Sequence, residues 1–121
     1  MNRNAWVKQL FQSIDDHNVE GFLAFLSSDI LFQFGNAAPV KGKEAVGQAV
    51  GGFFGSIKAL RHNVIETWEQ PGVVICRGTV TYTRHDSSTL SVPFANIFNL
   101  DADRIREYLI YVDISQLYKP A

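Results

Sequence analysis

Cysteine is almost missing from this chain: Cys76 stands alone among 121 residues. No internal disulfide can form, which leads to the expectation of a reduced, cytoplasmic setting. Its apolar neighbours mark it as a buried filler rather than a reactive thiol. Charge is scarce as well. Charged residues make up 19% and the formal net charge is -1, which leaves no basic footprint for nucleic acid or for an anionic membrane, while 46% hydrophobic content argues against disorder. Long hydrophobic runs are absent, because Gly, Lys, Asp or Asn interrupts every apolar window well short of the roughly 20 residues that cross a bilayer. The start, MNRNAWVKQLFQ, carries neither a continuous apolar stretch nor a small-residue cleavage site, so no secretory signal is expected. His17, His62 and His85 lack metal-ligand spacing, and Gly51-Gly52 does not sit between a strand and a helix as a phosphate cradle does. No metal or cofactor is therefore expected, and small neutral partners fit best.

What remains is enough for one domain over residues 1–121, long enough to bury roughly two-thirds of its unfolded surface without a staple. From about Asn4 to Asp16, Val7, Leu10, Phe11 and Ile14 recur at i, i+3, i+4 and i+7, the stripe of an amphipathic helix. Asn18 is a good N-cap for a second short helix carrying Val19, Phe22, Leu23 and Leu26, halted at Ser27-Ser28-Asp29. Ile30 to Phe34 suits a short strand, and Gly35 to Gly42 a loop. Lys43 to Ile57 returns to the helical stripe despite Gly47, Gly51, Gly52 and Gly55, which implies a helix dependent on tertiary packing and close to a neighbour.

After Ala59 the period changes to two. Leu60 to Glu69 and Val73 to His85 are rich in β-branched and aromatic residues and meet at the turn Gln70-Pro71-Gly72. His85-Asp86-Ser87-Ser88 turns into a long hairpin, Thr89 to Leu117, folded at Asp101-Ala102-Asp103, where Asp is expected to take the left-handed turn angles. The order indicates an α+β fold in which three N-terminal helices pack on a curved antiparallel sheet and close it into a cone around a cavity. Asn96, Tyr108, Tyr111 and Asp113 interrupt strands otherwise suited to burial. A carboxylate among apolar neighbours must find a partner or change its proton affinity, so Asp113 is the expected focus of chemistry.

The ending VPFANIFNLDADRIREYLIYVDISQL and the upstream PVKGKEAV resemble the nuclear transport factor 2-like superfamily, which includes ketosteroid isomerases, SnoaL-like polyketide cyclases and limonene epoxide hydrolases. The resemblance covers essentially the whole chain and implies the cystatin-like cone. It sets Asp113 at the position of the acid or base that ends the last strand in the cyclases and hydrolases. Arg77 falls where the hydrolases place a carboxylate-orienting arginine, although the carboxylate two residues later is here Thr79. Asn96 falls near the oxyanion-hole aspartate of the ketosteroid isomerases, and Phe34 takes the place of their catalytic base.

If Arg77, Asn96 and Asp113 all face inward, a guanidinium would hold the acid ionised while Asn96 polarises a substrate oxygen, as general-base chemistry requires. The alternative is a buried Arg77–Asp113 pair that only closes the cone. Tyr111 shares strand parity with Asp113 and is the expected pocket tyrosine of the last strand, with Thr79, Phe34, Trp68 and His62 completing the lining. Trp68 and His62, on one face of their strand, would line the cavity's mouth, although aromatics at alternating spacing are more often core or interface residues. The other face, with Ala95, Ile97, Cys76, Gly78 and Val80, would expose an apolar surface that a homodimer covers. The expected function is acid–base isomerisation, cyclisation or hydrolysis of a small apolar molecule; the alternative is a ligand-binding or accessory domain without turnover.

Overall fold

The computed structural model describes residues 3–118. The chain opens with helix α1 (Arg3–Asp15), a short helix α2 (Val19–Leu23), strand β1 (Leu26–Phe34) and a two-residue strand β2 (Val40–Lys41). Helix α3 (Lys43–Gly55) then leads into a meander of β3 (Ala59–Gln70), β4 (Val73–Thr83), β5 (Thr89–Asp101) and β6 (Arg104–Val112). All strands join one sheet in the order β2-β1-β6-β5-β4-β3. The sheet is mixed rather than antiparallel throughout, because β1 runs parallel to β6. A strand that pairs with β6 only after α3 and the meander have intervened is free to run either way.

The apolar stripe of α1, with Trp6, Val7, Leu10, Phe11 and Ile14 all buried, lies on the sheet as its period requires. Asn18 caps α2, its side-chain oxygen accepting from the Gly21 amide at 3.0 Å. The helix stops earlier than its apolar spacing suggests. Leu26 already belongs to β1, where it is fully buried opposite Ile105, and a register shift before Leu31 absorbs the polar Ser27-Ser28-Asp29. In α3 only Gly47 meets a neighbour, with Leu23 3.1 Å from where its Cβ would stand; Gly51, Gly52 and Gly55 face open space. The left-handed residue of the β5–β6 turn is Ala102, with φ 55°, and not either aspartate.

Two details of pairing decide which side chains reach the interior. In β3 the register slips between Val64 and Glu66, so that Ile65 is a bulged residue without its own partner on β4. Val64 on the near side opposes Gly78, where the strands approach so closely that a Cβ would lie 1.9 Å from the Asn63 carbonyl oxygen. The bulge inverts the alternation beyond it. The second detail is the β4–β5 register, which sets Cys76 opposite Asn96 and Arg77 opposite Ala95. Directly opposed residues share a face, so Cys76, Gly78 and Val80 point inward with Asn96, and Arg77 and Thr79 point outward. The expected outer face is corrected accordingly: Ile75, Arg77 and Thr79 lie beside Ala95 and Ile97 there.

Candidate functional site

The inner face of the sheet and the helices above it enclose a cavity of about 230 Å³. Its wall is built from alternate residues of the strands: Phe32 and Phe34 from β1, Val80 and Tyr82 from β4, Phe94 and Asn96 from β5, and Tyr108, Ile110 and Val112 from β6. Ala49, Val50, Phe53 and Phe54 of α3 form the roof. A larger groove, about 600 Å³, runs outside along α1 and β3 and is lined mainly by polar side chains. We take the smaller, mostly apolar space as the site, because binding cavities are mostly apolar with a few placed polar groups.

His62 belongs to both spaces, forming the wall between the cavity and the outer groove. It sits on β3 before the bulge and so shares the inward face with Leu60 and Val64. Its ring stacks on Phe11 of α1, with centroids 4.4 Å apart, and meets Phe94 edge to face at 5.2 Å. Asp15, the last residue of α1, holds it from the other side. The Asp15 Oδ1 lies 2.6 Å from His62 Nδ1, and Oδ2 accepts the His62 backbone N–H at 3.0 Å. In the neutral ring, a carboxylate acceptor at Nδ1 selects the tautomer with the proton there and leaves the lone pair on Nε2.

Three further polar side chains line the cavity. Tyr82 and Tyr108 are almost fully buried. Burial pushes both phenols well above their ordinary value, helped for Tyr82 by Tyr118 and for Tyr108 by Cys76, Tyr82 and Asp15, so both stay protonated and able to donate. Asn96 is 1% exposed, and its Oδ1 has no hydrogen-bond partner. Cys76, directly across from it, is also fully buried; burial pushes its thiol up to about 12, against a smaller lowering by the Asn96 backbone amide.

The structure does not bring the expected trio together. Asp113 lies past the end of β6 and is exposed, its Oδ1 accepting the Ser115 amide at 2.9 Å in a local turn. Arg77 is exposed on the outer face and pairs with Glu66, its Nε and Nη2 reaching Oε1 at 2.8 and 2.6 Å. Of the three, only Asn96 enters the cavity. Thr79 and Tyr111 face outward for the same reason of parity, Tyr111 being 56% exposed, and it is Tyr108 that the last strand turns inward. Trp68, 45% exposed, is separated from His62 by the Ile65 bulge and lies on the opposite face. Phe34 and His62 are part of the lining.

Asp15 was not singled out in the sequence, where it reads as one of two helix-ending aspartates; its only trace is its place one residue past the Phe11–Ile14 stripe. Among the described residues no group of three or more His, Cys, Asp or Glu could hold a metal ion, and no helix is long and apolar enough to cross a membrane.

The SnoaL-like domain family model matches residues 7–108. Solved structures share the fold at low identity. One is an NTF2-like protein of unknown function from Burkholderia pseudomallei, 17% identical, with a TM-score of 0.84 over 97% of this chain and 95% of that one. Another is a hypothetical protein with a ketosteroid isomerase-like fold from Catenulispora acidiphila, in complex with trimethylamine, 13% identical, with a TM-score of 0.83 over 90% of this chain and 85% of that one. An epoxide hydrolase of the LEH-like type from Mycobacterium tuberculosis is 13% identical, with a TM-score of 0.78 over 93% of this chain and 84% of that one. No curated protein matches the sequence.

Proposed function

The chain belongs to the SnoaL-like domain family, and from that premise we propose that it binds a small, mostly apolar molecule in the inner cavity and moves a proton on it with His62. The observation that carries this reading is the His62–Asp15 pair, set into the wall of a mostly aromatic and aliphatic cavity. Nε2 of His62 takes the proton as general base while Asp15 fixes the ring and stabilises the imidazolium that forms. The neutral hydroxyls of Tyr82 and Tyr108 donate to the oxygen on which negative charge develops. Isomerisation, cyclisation and water addition or loss all use this set of roles. The proton-moving part passes from Asp113 to His62, because the reacting atoms must lie within hydrogen-bond reach of the base.

The test compares wild type, His62→Gln and Asp113→Asn on a panel of small cyclic ketones, epoxides and polyketide mimics. Turnover by wild type and Asp113→Asn alike, with a fall of about 10²–10⁴-fold in His62→Gln, supports the reading. Undiminished turnover in His62→Gln overturns it. A second reading, ligand binding without turnover, is favoured by the absence of any Asp, Glu, Lys or Arg among the described residues that line the cavity; binding that survives in all three proteins with no reaction in any is its signature.

The outer face supports a homodimer as part of the same proposal. Trp68, Ile75, Ile97 and Leu109 are opposed in turn across β3 to β6 and form an apolar row, next to which Tyr111 stands exposed. A second copy of the chain covers such a row with its own. Light scattering that shows a monomer at micromolar concentration removes the dimer. A cytoplasmic location, where Cys76 stays reduced, completes the proposal.

A further inference from the structure

Among the residues that line the cavity, Ala37, Ala38 and Ala49 are exposed to solvent, while the rest are buried or half-buried. The opening therefore lies where the turn after β1 faces α3. Its rim is small and apolar. His62 stands away from it, because β6, β5 and β4 separate β1 from β3 in the sheet. The base and the opening thus occupy opposite edges of one continuous cavity.

The space between them is narrow. Phe53, one turn after Ala49 on α3, meets Phe34 of β1 at a ring separation of 5.1 Å and Tyr82 of β4 edge to face at 5.9 Å. Rings at these separations touch, so no guest passes between them, and the free path runs beneath, over Ile110 and Val112 of β6. The volume agrees. A cavity of roughly 150 Å³ holds benzene alone, whereas the 230 Å³ here is drawn out between two edges of the sheet, which gives it the section of a chain rather than of fused rings.

We propose that the guest is an unbranched ketone, lying with its carbonyl at Tyr82 and His62 and its alkyl tail directed out past Ala49 and Ala38. The inference rests on the small-molecule reading above and adds the shape and direction of the guest. Tyr82 stands two residues from Val80, the cross-strand partner of His62, so a phenol donor and the imidazole serve the same end of the cavity. The neutral phenol donates to the carbonyl oxygen, and the carbon beside it comes to Nε2. From there each methylene leaves water for the apolar wall until the chain reaches the alanines, beyond which added length meets solvent. Ala49 and Ala38 are thus specificity-determining residues, which set the longest chain whose tail is wholly covered.

The experiment is titration calorimetry of the full chain with a series of straight-chain 2-ketones from 2-hexanone upward, and with 2-adamantanone, a rigid cage of the same carbon count as 2-decanone. Wild type is expected to gain about fourfold in affinity per methylene and then to level off. It is expected to bind 2-decanone at least about tenfold more tightly than 2-adamantanone after correction for their partition into octanol. In Ala49→Phe the levelling should come at a shorter chain, and Ala38→Phe makes the same test from the other side of the opening should the first variant fail to fold. Ala45→Phe, exposed on α3 but off the lining, should behave as wild type. Levelling at one and the same length in wild type and both opening variants overturns the assignment of the opening. Binding of 2-adamantanone as tight as that of 2-decanone overturns the chain shape alone, whereas failure of wild type to bind any of these ketones removes the pocket reading itself.

Discussion

Asp15 grips His62 at two points, Oδ1 on the ring nitrogen at 2.6 Å and Oδ2 on the backbone amide at 3.0 Å, and so ties the last turn of α1 to the start of β3. One carboxylate therefore sets both the tautomer of the imidazole and the seating of the helix over the cavity.

Asp15→Ala is expected to lower stability by about 1–3 kcal/mol, since two hydrogen bonds to a charged acceptor disappear together. Asp15→Asn separates orientation from charge. It keeps a partner for His62 but no longer dictates a proton on Nδ1, and nitrogen shifts of the imidazole in NMR spectra should show a mixture of tautomers where wild type shows one. A single unchanged tautomer in both variants would contradict the role assigned to Asp15.

Asn96→Leu is expected to stabilise the ligand-free protein by about 1–3 kcal/mol, because it removes a buried acceptor without a partner and places apolar atoms in the cavity. Thermal denaturation measures this directly. The expectation fails if the variant melts below wild type.

Gly78→Ala is expected to cost at least about 2 kcal/mol, since the new methyl would lie 1.9 Å from the Asn63 carbonyl oxygen and β3 must yield at its bulge. Gly51→Ala is the control. Its methyl meets nothing within 4 Å on a helix, and it should stabilise by about 0.5–1 kcal/mol. Urea denaturation of the two variants should therefore shift in opposite directions, and a common direction would show that the strand approach at Gly78 is not tight.

Alkaline pH should unfold the protein earlier than its surface charge suggests. The folded pKa of Cys76, about 12, lies above its ordinary 9.0, and those of Tyr82 and Tyr108 lie above their ordinary 10.0. These are acids whose neutral form the fold prefers. Their contribution is intact below the unfolded values and is lost as pH rises through the window up to the folded ones, by about 1.4 kcal/mol per pH unit for each group. Denaturation midpoints between about pH 8 and pH 10 should fall, and should fall less steeply in Cys76→Val. A flat profile up to about pH 10 in wild type would show that the thiol ionises as easily folded as unfolded.

The helices, the strands and most of their limits were determined by the sequence itself, because they depend on local matters: the Val7, Leu10, Phe11 and Ile14 spacing, the Asn18 cap, the turn at Pro71-Gly72, the period of two after Ala59. The fold class came with them. Tertiary structure alone decided which of the remaining polar side chains share the cavity. A strand has two faces that are equivalent until it is paired, so the Cys76–Asn96 register sent Arg77 and Thr79 outward, and the Ile65 bulge parted Trp68 from His62. Asp15 and His62 are 47 residues apart in the chain, and only the packing of α1 on β3 could make them a pair.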